Sequence, residues 1–330
     1  MIKRFFLFAA AILFIALFSS GCVSPRVNLF SRVPEPFKEQ VMSGTGPGKI
    51  LVIPVSGIIS DSPKRDMFQT RPGMVQDIVA QLDLAAKDPE IKAVLLKINS
   101  PGGTVTASDI LYHEIMTFKE KTGDKVVAMM MNVAASGGYY IALPADYIMA
   151  HPTTVTGSVG VIFMRPRVVG LMSKIGVGLE VNTSGKNKDM GSPFRPATED
   201  EKKLFQNLTD KMGKRFISLV EKRRRLDPDQ LEEVATARIY LAADAVSCGL
   251  VDRVGYIDDA VAKAKDLAGL PEQAQVVVYR RTAWPDDNIY NSQQMLHGVR
   301  PTLIDIGLPA SITQHLSGFC YIWASGIETN

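Results

Sequence analysis

The alternation of strand-like and helix-like segments constrains the fold of this chain more than any other feature. Apolar runs of strand length occupy 49–59, 91–100 and 125–134, and apolar residues recur at helical spacing in 74–88 and in 110–118 between them. Strands that alternate with helices of this length form right-handed βαβ units. The sequence therefore predicts an α/β fold with a parallel core.

Composition sets the predicted domain boundaries. Residues 1–22 read as a signal peptide, and residues 23–48, rich in Pro, Gly and Ser without a lasting period, as a linker. The folded domain is predicted at 49–280, where strand and helix patterns continue. Residues 281–330 hold both tryptophans but show little period, so we predict a C-terminal extension of unknown role.

The N-terminus carries an export signal. Lys3 and Arg4 precede an apolar block at 5–18, which is short for a membrane-spanning helix. Small residues then lead to Cys22, as in a bacterial lipobox, where the cysteine is lipidated and becomes the first mature residue. Ser19 stands where such boxes usually carry leucine, so an uncleaved membrane anchor is the alternative. Either way, we expect an exported domain tethered to a membrane.

Charge and cysteine content limit which kinds of protein this chain can be. The net charge is +3 and 22% of residues are charged, which argues against a nucleic-acid binder and against disorder. Export makes a disulfide between Cys248 and Cys320 permissible, and two buried thiols are the alternative.

Helix starts are predicted at two capping pairs. Thr106 with Asp109 fits the start of the helix near 110–118, and Thr198 with Glu201 fits a capping box. The helix that begins near Thr198 carries a stripe of apolar residues from Leu204 to Val220, which indicates core or subunit packing.

Ser136 is the strongest candidate for a catalytic residue. It follows two alanines at the end of an apolar run and precedes Gly137 and Gly138, a pattern that suits a sharp turn from a buried strand into a helix. A hydroxyl at a helix N-terminus lies beside free backbone N–H groups, where an acyl-transfer nucleophile belongs. A tightly packed strand–helix junction without catalytic function is the alternative.

Three glycine-containing turns support the catalytic interpretation: SPGG at 100–103, SGG at 136–138 and TGSVG at 156–160. If SPGG lies beside Ser136, the N–H of Gly102 or Gly103 and that of Gly137 form an oxyanion hole. Each such donor lowers a reaction barrier by about 3–4 kcal/mol. Any one of these turns alone is equally well an ordinary strand end.

The candidate general base is Lys188. It lies in a polar, Gly-flanked stretch at 183–193, where Lys186 is the competing lysine. A lysine amine acts as a base only when it is uncharged, and burial away from carboxylates favours that form. Ser158 is positioned in sequence to hold the amine by a hydrogen bond. Spacing alone leaves a Ser-His-Asp arrangement open, although no recognisable setting surrounds His113, His151, His297 or His315.

These residues resemble the signal peptide peptidase A family, membrane-bound serine peptidases with a Ser-Lys dyad on the Clp-protease/crotonase-like fold. The resemblance covers about residues 49–270 and rests on these segments: ILVIPVSGII, DPEIKAVLLKINSPGGTVTASD, NVAASGGYYIALPAD, TGSVGV, SGKNKDMGSPFRPAT and ARIYLAADAVSCGLVDRVG. It implies repeated ββα-type units in a single catalytic module. It also implies that Ser136 is the nucleophile, Lys188 the base and Ser158 its orienting partner, with Gly102, Gly103 and Gly137 in the oxyanion hole.

The resemblance further implies an endopeptidase that hydrolyses apolar peptides such as cleaved signal peptides through an acyl-enzyme. We expect a homo-oligomer at the membrane, on the periplasmic side, without a metal, cofactor or nucleic-acid partner. Serine and lysine can come from neighbouring modules in this family, so a chain with one module would need a second copy. Ala237 stands where the family usually has glycine, and we expect little consequence so far from the site.

Two alternatives belong to other classes. A crotonase-like acyl-CoA enzyme would use the same oxyanion hole on a thioester, but a signal sequence opposes it because coenzyme A is cytoplasmic. A non-catalytic membrane scaffold of the same fold is the second alternative, and the presence of both dyad candidates opposes it.

Overall fold

A computed structural model describes residues 36–65, 70–281 and 318–323. The predicted signal peptide at 1–22, with Cys22, lies outside the described residues, as do His297 and His315. No helix within the described ranges is both long and apolar enough to span a membrane.

The described helices are α1 (Met74–Ala85), α2 (Val105–Thr122), α3 (Gly137–Tyr140), α4 (Val169–Ile175), α5 (Glu199–Arg224), α6 (Pro228–Ala235), α7 (Ala242–Ser247) and α8 (Ile257–Ala268). The strands of the first half are β1 (Lys38–Ser43), β2 (Gly46–Ser56), β3 (Lys64–Arg65), β4 (Thr70–Arg71), β5 (Ile91–Ser100), β6 (Gly102–Thr104) and β7 (Lys125–Ala135). Those of the second half are β8 (Tyr147–Ala150), β9 (Val155–Gly157), β10 (Ile162–Met164), β11 (Ile239–Leu241), β12 (Arg253–Val254), β13 (Ala274–Arg280) and β14 (Gly318–Ile322).

The main sheet has the strand order β1-β13-β2-β5-β7-β8-β12. Each neighbouring pair from β13 to β12 is parallel, and β1 runs antiparallel to β13 at the edge. This arrangement confirms the predicted parallel α/β core.

Both faces of this sheet are covered. Along β2, Leu51 and Ile53 pack on the face that α1 and α2 cover, whereas Ile50 and Val52 pack on the other face, against α8. Strands buried on both faces need apolar residues at successive positions. This explains why the sequence shows continuous apolar runs there.

The sheet branches at β7, and the branch positions the candidate site. Residues Val127–Met130 pair with β8, whereas Val133–Ala135 pair with β9, which in turn pairs antiparallel with β11. The last residues of β7 therefore leave the neighbourhood of β8 and deliver the chain to Ser136.

The predicted linker at 23–48 overlaps regular structure. The edge strand β1 lies inside it, and β2 begins at Gly46, before the predicted start of the domain at residue 49. The segment KEQVMS of β1 is partly exposed. An edge strand of this kind lacks the apolar run that marks a central strand, so the sequence pattern did not show it.

One capping prediction is confirmed and the other is wrong. Thr198 and Glu201 form the reciprocal capping box at the start of α5. Helix α2, however, is capped by Thr104, whose hydroxyl accepts the amide of Ala107 at 3.3 Å. Asp109 lies two residues beyond the capping position N3, and its carboxylate accepts hydrogen bonds from the Tyr140 hydroxyl at 2.6 Å and from Arg215 at 2.7 Å.

The two described cysteines are free thiols. Cys248 and Cys320 are both buried and neither is in a disulfide. Of the two alternatives drawn from the sequence, the structure has the buried thiols.

The buried parallel core predicts that a Leu→Ala substitution lowers the free energy of unfolding far more in the sheet than on the helix surface. Leu96→Ala in β5, where the side chain is 0% exposed, should lower the free energy of unfolding by about 2–5 kcal/mol because it leaves a cavity. Leu84→Ala in α1, where the side chain is 37% exposed, should cost about 0.5 kcal/mol or less. Urea unfolding of both variants measures the difference, and similar losses would contradict the assigned core.

Candidate active site

Ser136 lies at a strained turn between β7 and α3. Its backbone has φ 52° and ψ −114°, a conformation that side-chain-bearing residues rarely adopt. Such strain costs about 1–3 kcal/mol and persists only where the surrounding structure enforces it. Here the amide of Ser136 donates to the carbonyl of Gly157 at 2.8 Å, and the residue is 1% exposed. The predicted sharp strand-to-helix turn is therefore present.

The two glycines after Ser136 are required by close packing. A methyl group on Gly137 would lie 2.6 Å from the hydroxyl of Ser108, and one on Gly138 would lie 2.5 Å from the carbonyl oxygen of Ser100. Both distances are below ordinary contact. The first turn of α3 can therefore approach α2 and the end of β5 only without side chains at these positions.

The SPGG turn lies directly beside Ser136. Gly102 has φ +106°, and a methyl group there would lie 2.7 Å from the amide nitrogen of Gly137. Gly103 forms a parallel bridge with Ile59, whose carbonyl would lie 1.9 Å from a methyl group on Gly103. The structure thus places SPGG beside Gly137, and the amide of Gly102 itself donates to the hydroxyl of Ser100 at 3.1 Å.

The TGSVG turn is the third element of the site. Ser158 also has a positive φ, 51°, and its amide donates to the carbonyl of Arg238 at 2.8 Å. The hydroxyl of Ser136 lies 3.5 Å from the carbonyl oxygen of Gly160. All three glycine turns therefore converge on Ser136.

Ala237 packs against the TGSVG turn, so it lies nearer to the candidate site than expected. It has φ 60°, and its Cβ lies 2.8 Å from the position of a methyl group on Gly160. The left-handed conformation favours glycine, which gives a physical reason for the family's usual residue here.

Lys188 lies at the surface of the chain. Its side chain is exposed, and among the described residues no hydrogen bond joins it to Ser136 or Ser158. Lys186, the competing lysine, is 80% exposed and pairs with Asp200 at 3.2 Å. The structure therefore gathers the serine and glycine candidates and leaves both lysines at the surface.

The two described histidines have other surroundings. His113 is exposed on α2, and His151 bonds to the hydroxyl of Thr153 at 2.9 Å and packs edge-on against Tyr256. In the described part of the chain, neither hydrogen-bonds to Ser136.

The segment that carries Lys188 is held by a charged cluster that the sequence did not reveal. Arg195 donates through Nε and Nη2 to the carboxylate of Asp189 at 2.6 and 2.8 Å, and through Nη1 to Glu201 at 3.0 Å. We call Arg195, Asp189 and Glu201 the Arg195 clamp. Since Asp189 follows Lys188 directly and Glu201 lies in the first turn of α5, the clamp ties the lysine's backbone to that helix.

The electrostatics of the clamp set its pH range. The hydrogen bonds from Arg195 lower the pKa of the Asp189 and Glu201 carboxyls below their ordinary values. A carboxyl with a lowered pKa in the folded state stabilises that state above its ordinary pKa of about 4 and loses this contribution as the pH falls further. The clamp is therefore intact at neutral pH and weakens only in acid.

A strand from the predicted C-terminal extension borders the site. Among the described residues, β6, β14 and β10 form a second, antiparallel sheet with β14 in the middle. The carbonyl oxygen of Tyr321 in β14 would lie 1.9 Å from a methyl group on Gly102 and 3.0 Å from one on Gly137. Nothing in the local sequence pattern indicated that residues 318–322 reach the candidate oxyanion hole.

The chain is similar to known proteins over most of its length. The profile of Peptidase family S49 matches residues 119–271, which include Ser136, Ser158 and Lys188, and the Clp protease profile matches residues 67–156. A protein of Enterococcus faecium assigned as signal peptide peptidase SppA is 34% identical over 270 residues, which are 81% of this chain and 78% of that protein. The chain belongs to peptidase family S49.

Two further relatives are longer than this S49 chain. Protease 4 of Salmonella typhi is 35% identical over 269 residues, which are 80% of this chain and 42% of that protein. Serine protease SPPA, chloroplastic, of Arabidopsis thaliana is 34% identical over 206 residues, which are 62% of this chain and 30% of that protein. The chain thus spans less than half of these relatives.

These matches confirm the predicted family and its Clp-protease-like fold. They support a peptidase of the serine type, which acts on peptide substrates, and they favour this prediction over the acyl-CoA alternative.

The Arg195 clamp should control the order of the segment around Lys188. Three turn hydrogen bonds stabilise this segment, from the amides of Lys188, Met190 and Ser192 at 3.0, 3.2 and 3.0 Å. Arg195→Ala should make these amides exchange with solvent about tenfold faster, because the clamp no longer holds the turns together. Hydrogen–deuterium exchange of peptides from this segment measures the change.

Arg238→Ala is the matched control for this experiment. Arg238 forms an exposed ion pair with Glu233 at 2.7 Å, so its loss should leave exchange in 185–195 unchanged. Equal exchange in wild type and Arg195→Ala would show that the clamp does not order the segment.

Proposed function

We propose that this S49 peptidase is an endopeptidase in which Ser136 attacks the scissile carbonyl and Lys188 is the general base. The convergence of SPGG, SGG and TGSVG on one strained serine is the observation that carries the proposal. A hydroxyl beside backbone amides that can stabilise an oxyanion is the arrangement that acyl transfer needs.

The proposed reaction has two steps. The oxygen of Ser136 bonds to the carbonyl carbon while Lys188 takes the hydroxyl proton, and the amides of Gly137 and of Gly102 or Gly103 stabilise the oxyanion. The C–N bond then breaks, and the lysine ammonium returns its proton to the leaving amine. Water, deprotonated by the same amine, hydrolyses the acyl-enzyme to a carboxylic acid and restores the serine. Ser158 would orient the amine.

We further propose that the lysine and the serine come from two copies of the chain. The exposure of Lys188 supports this, since a second copy would remove water from the amine. Exposed apolar residues precede the Lys188 segment and supply a surface for such contact: Leu171, Ile175, Val177, Leu179 and Val181. The site would then be complete only in a homo-oligomer.

The proposed substrates are extended apolar peptides, with cleaved signal peptides as the natural class. The predicted export signal and Cys22 support a membrane-tethered enzyme that acts outside the cytoplasm, as a lipoprotein or through an uncleaved anchor. The non-catalytic scaffold is the alternative that the following experiment addresses.

Substitutions of the proposed dyad test the mechanism. Ser136→Ala, Lys188→Ala and Lys188→Arg should each lower kcat/KM for an apolar fluorogenic peptide by about 10³-fold or more. The first variant lacks the hydroxyl and the second lacks the amine. The third keeps a positive charge, because arginine cannot give up its proton. Lys186→Ala is the matched control and should keep the wild-type rate. If Lys188→Ala stayed near the wild-type rate, the assigned base would be wrong; if the wild type cleaved no peptide, the scaffold would be favoured.

Mixing two inactive variants tests whether the site is shared between copies. Ser136→Ala chains keep Lys188, and Lys188→Ala chains keep Ser136, so mixed oligomers would contain some complete sites. We expect the mixture, after dissociation and reassembly, to regain about a quarter to a half of the activity per chain. A mixture that co-assembles and stays inactive would place both residues in one chain.

A further inference from the structure

A cavity of about 310 Å³ lies between α6, β11 and α7, and the proposed reaction does not use it. Its inner wall adjoins the TGSVG turn. A methyl group on Gly157 would lie 2.5 Å from the ring of Tyr240, and the carbonyl of Arg238 accepts the amide of Ser158 at 2.8 Å. Tyr240 and Arg238 both line the cavity, so a molecule bound there would contact the residues that hold this turn.

The floor of the cavity carries a buried hydroxyl without a partner. Tyr240 is 3% exposed, and its hydroxyl oxygen makes no hydrogen bond within the described residues. Leaving a buried hydroxyl unpaired costs about 1–3 kcal/mol. The hydroxyl interacts electrostatically with Cys248, Glu233 and Arg238, which all line the cavity, so it faces that space. A buried, unpaired polar group that faces a cavity indicates a bound molecule.

Tyr240 and Arg238 together suit a carboxylate. Burial raises the pKa of Tyr240 to about 12, so its hydroxyl keeps its proton at neutral pH and can donate. The guanidinium of Arg238 lies over the same ring, with Cζ 4.8 Å from the ring centroid. Arg238 bonds to Glu233 through Nη1 at 2.7 Å, which leaves Nη2 to donate to a ligand. A guanidinium and a phenol that donate side by side favour a carboxylate.

Asp244 supplies the complementary charge at the rim. It lies in the first turn of α7, lines the cavity and is exposed. No ion pair joins it to another residue in the part of the chain that the structure describes, so its carboxylate can bind an ammonium group. The floor adds no charge, because burial raises the pKa of the Cys248 thiol. The cavity therefore fits a small molecule with a carboxylate at one end and an ammonium group at the other.

We propose that this cavity is a binding site for the zwitterion of a short peptide or a free amino acid. Its carboxylate would bind Arg238 and Tyr240, and its ammonium group would bind Asp244. The volume is at the small end of ligand sites, which span about 300–1,000 Å³, and suits a dipeptide. Such molecules are products of peptide hydrolysis, so the source of the ligand rests on the proposed function, whereas the binding itself does not.

Calorimetric titration of the full-length Ser136→Ala chain tests this inference, since that chain would not hydrolyse the probe. The probe is alanyl-alanine. Two analogues each lack one charge: N-acetyl-alanyl-alanine has no ammonium group, and alanyl-alanine amide has no carboxylate. We expect each analogue to bind at least about tenfold more weakly than alanyl-alanine.

Variants of the cavity, each in the Ser136→Ala chain, assign the two ends of the probe. Asp244→Asn should weaken alanyl-alanine about tenfold and leave the N-acetyl analogue unchanged, because that analogue has no ammonium group to lose. Tyr240→Phe keeps the ring against Gly157 and should weaken alanyl-alanine about fivefold. Asp229→Asn is the matched control, in the first turn of α6 but outside the cavity, and should leave all affinities unchanged.

Three outcomes would overturn the inference: no binding of alanyl-alanine at millimolar concentration, equal affinity for the probe and its two analogues, or an equal effect of Asp244→Asn on all three. The last outcome would give Asp244 a purely structural role. Because every receptor carries Ser136→Ala, failure of the proposed function appears only in the hydrolysis assays and stays separate from this result.

Discussion

The strained backbone of Ser136 is the constraint on which the site depends. A residue with a side chain holds φ 52° at the end of β7 because its neighbours enforce it: the amide bonds to Gly157, and α3 packs against Ser108 and Ser100 through bare glycines. The branch of the sheet at β7 makes room for this turn. A strained turn of this kind presents the serine hydroxyl to nearby backbone N–H groups, while the path of the backbone through the residue stays fixed.

The candidate site also depends on the close approach of the SPGG turn to Gly137. Gly102 and Gly137 can lie side by side only because neither has a Cβ, and the same absence lets the backbone of Tyr321 approach both. A site that receives a main-chain strand at this distance suits an extended polypeptide better than a bulky or compact ligand. The close approach of a main-chain strand and the family assignment therefore favour the same class of substrate.

The lysine is organised differently from the serine. Ser136 is fixed by the rigid sheet, whereas Lys188 lies on an exposed segment whose order comes from the Arg195 clamp and from short turns. A lysine that acts as a base has to lose contact with water, and a loop at the surface achieves this best when another surface covers it. If Ser136 and Lys188 act as proposed, this division between a rigid serine and an exposed lysine gives a physical reason for such a chain to assemble.

The sequence by itself determined the parallel core, the order of its central strands along the chain, and the strand-to-helix turn at Ser136 with its three glycine turns. These features follow from local rules, since burial on both faces imposes apolar runs and positive φ or close packing imposes glycine. Only the tertiary structure decided that β1 pairs with β13, that Arg195 joins Asp189 to Glu201, and that β14 lies between β6 and β10. Each of these contacts depends on which partner the folded chain brings near, and such a choice leaves no periodic pattern in either segment.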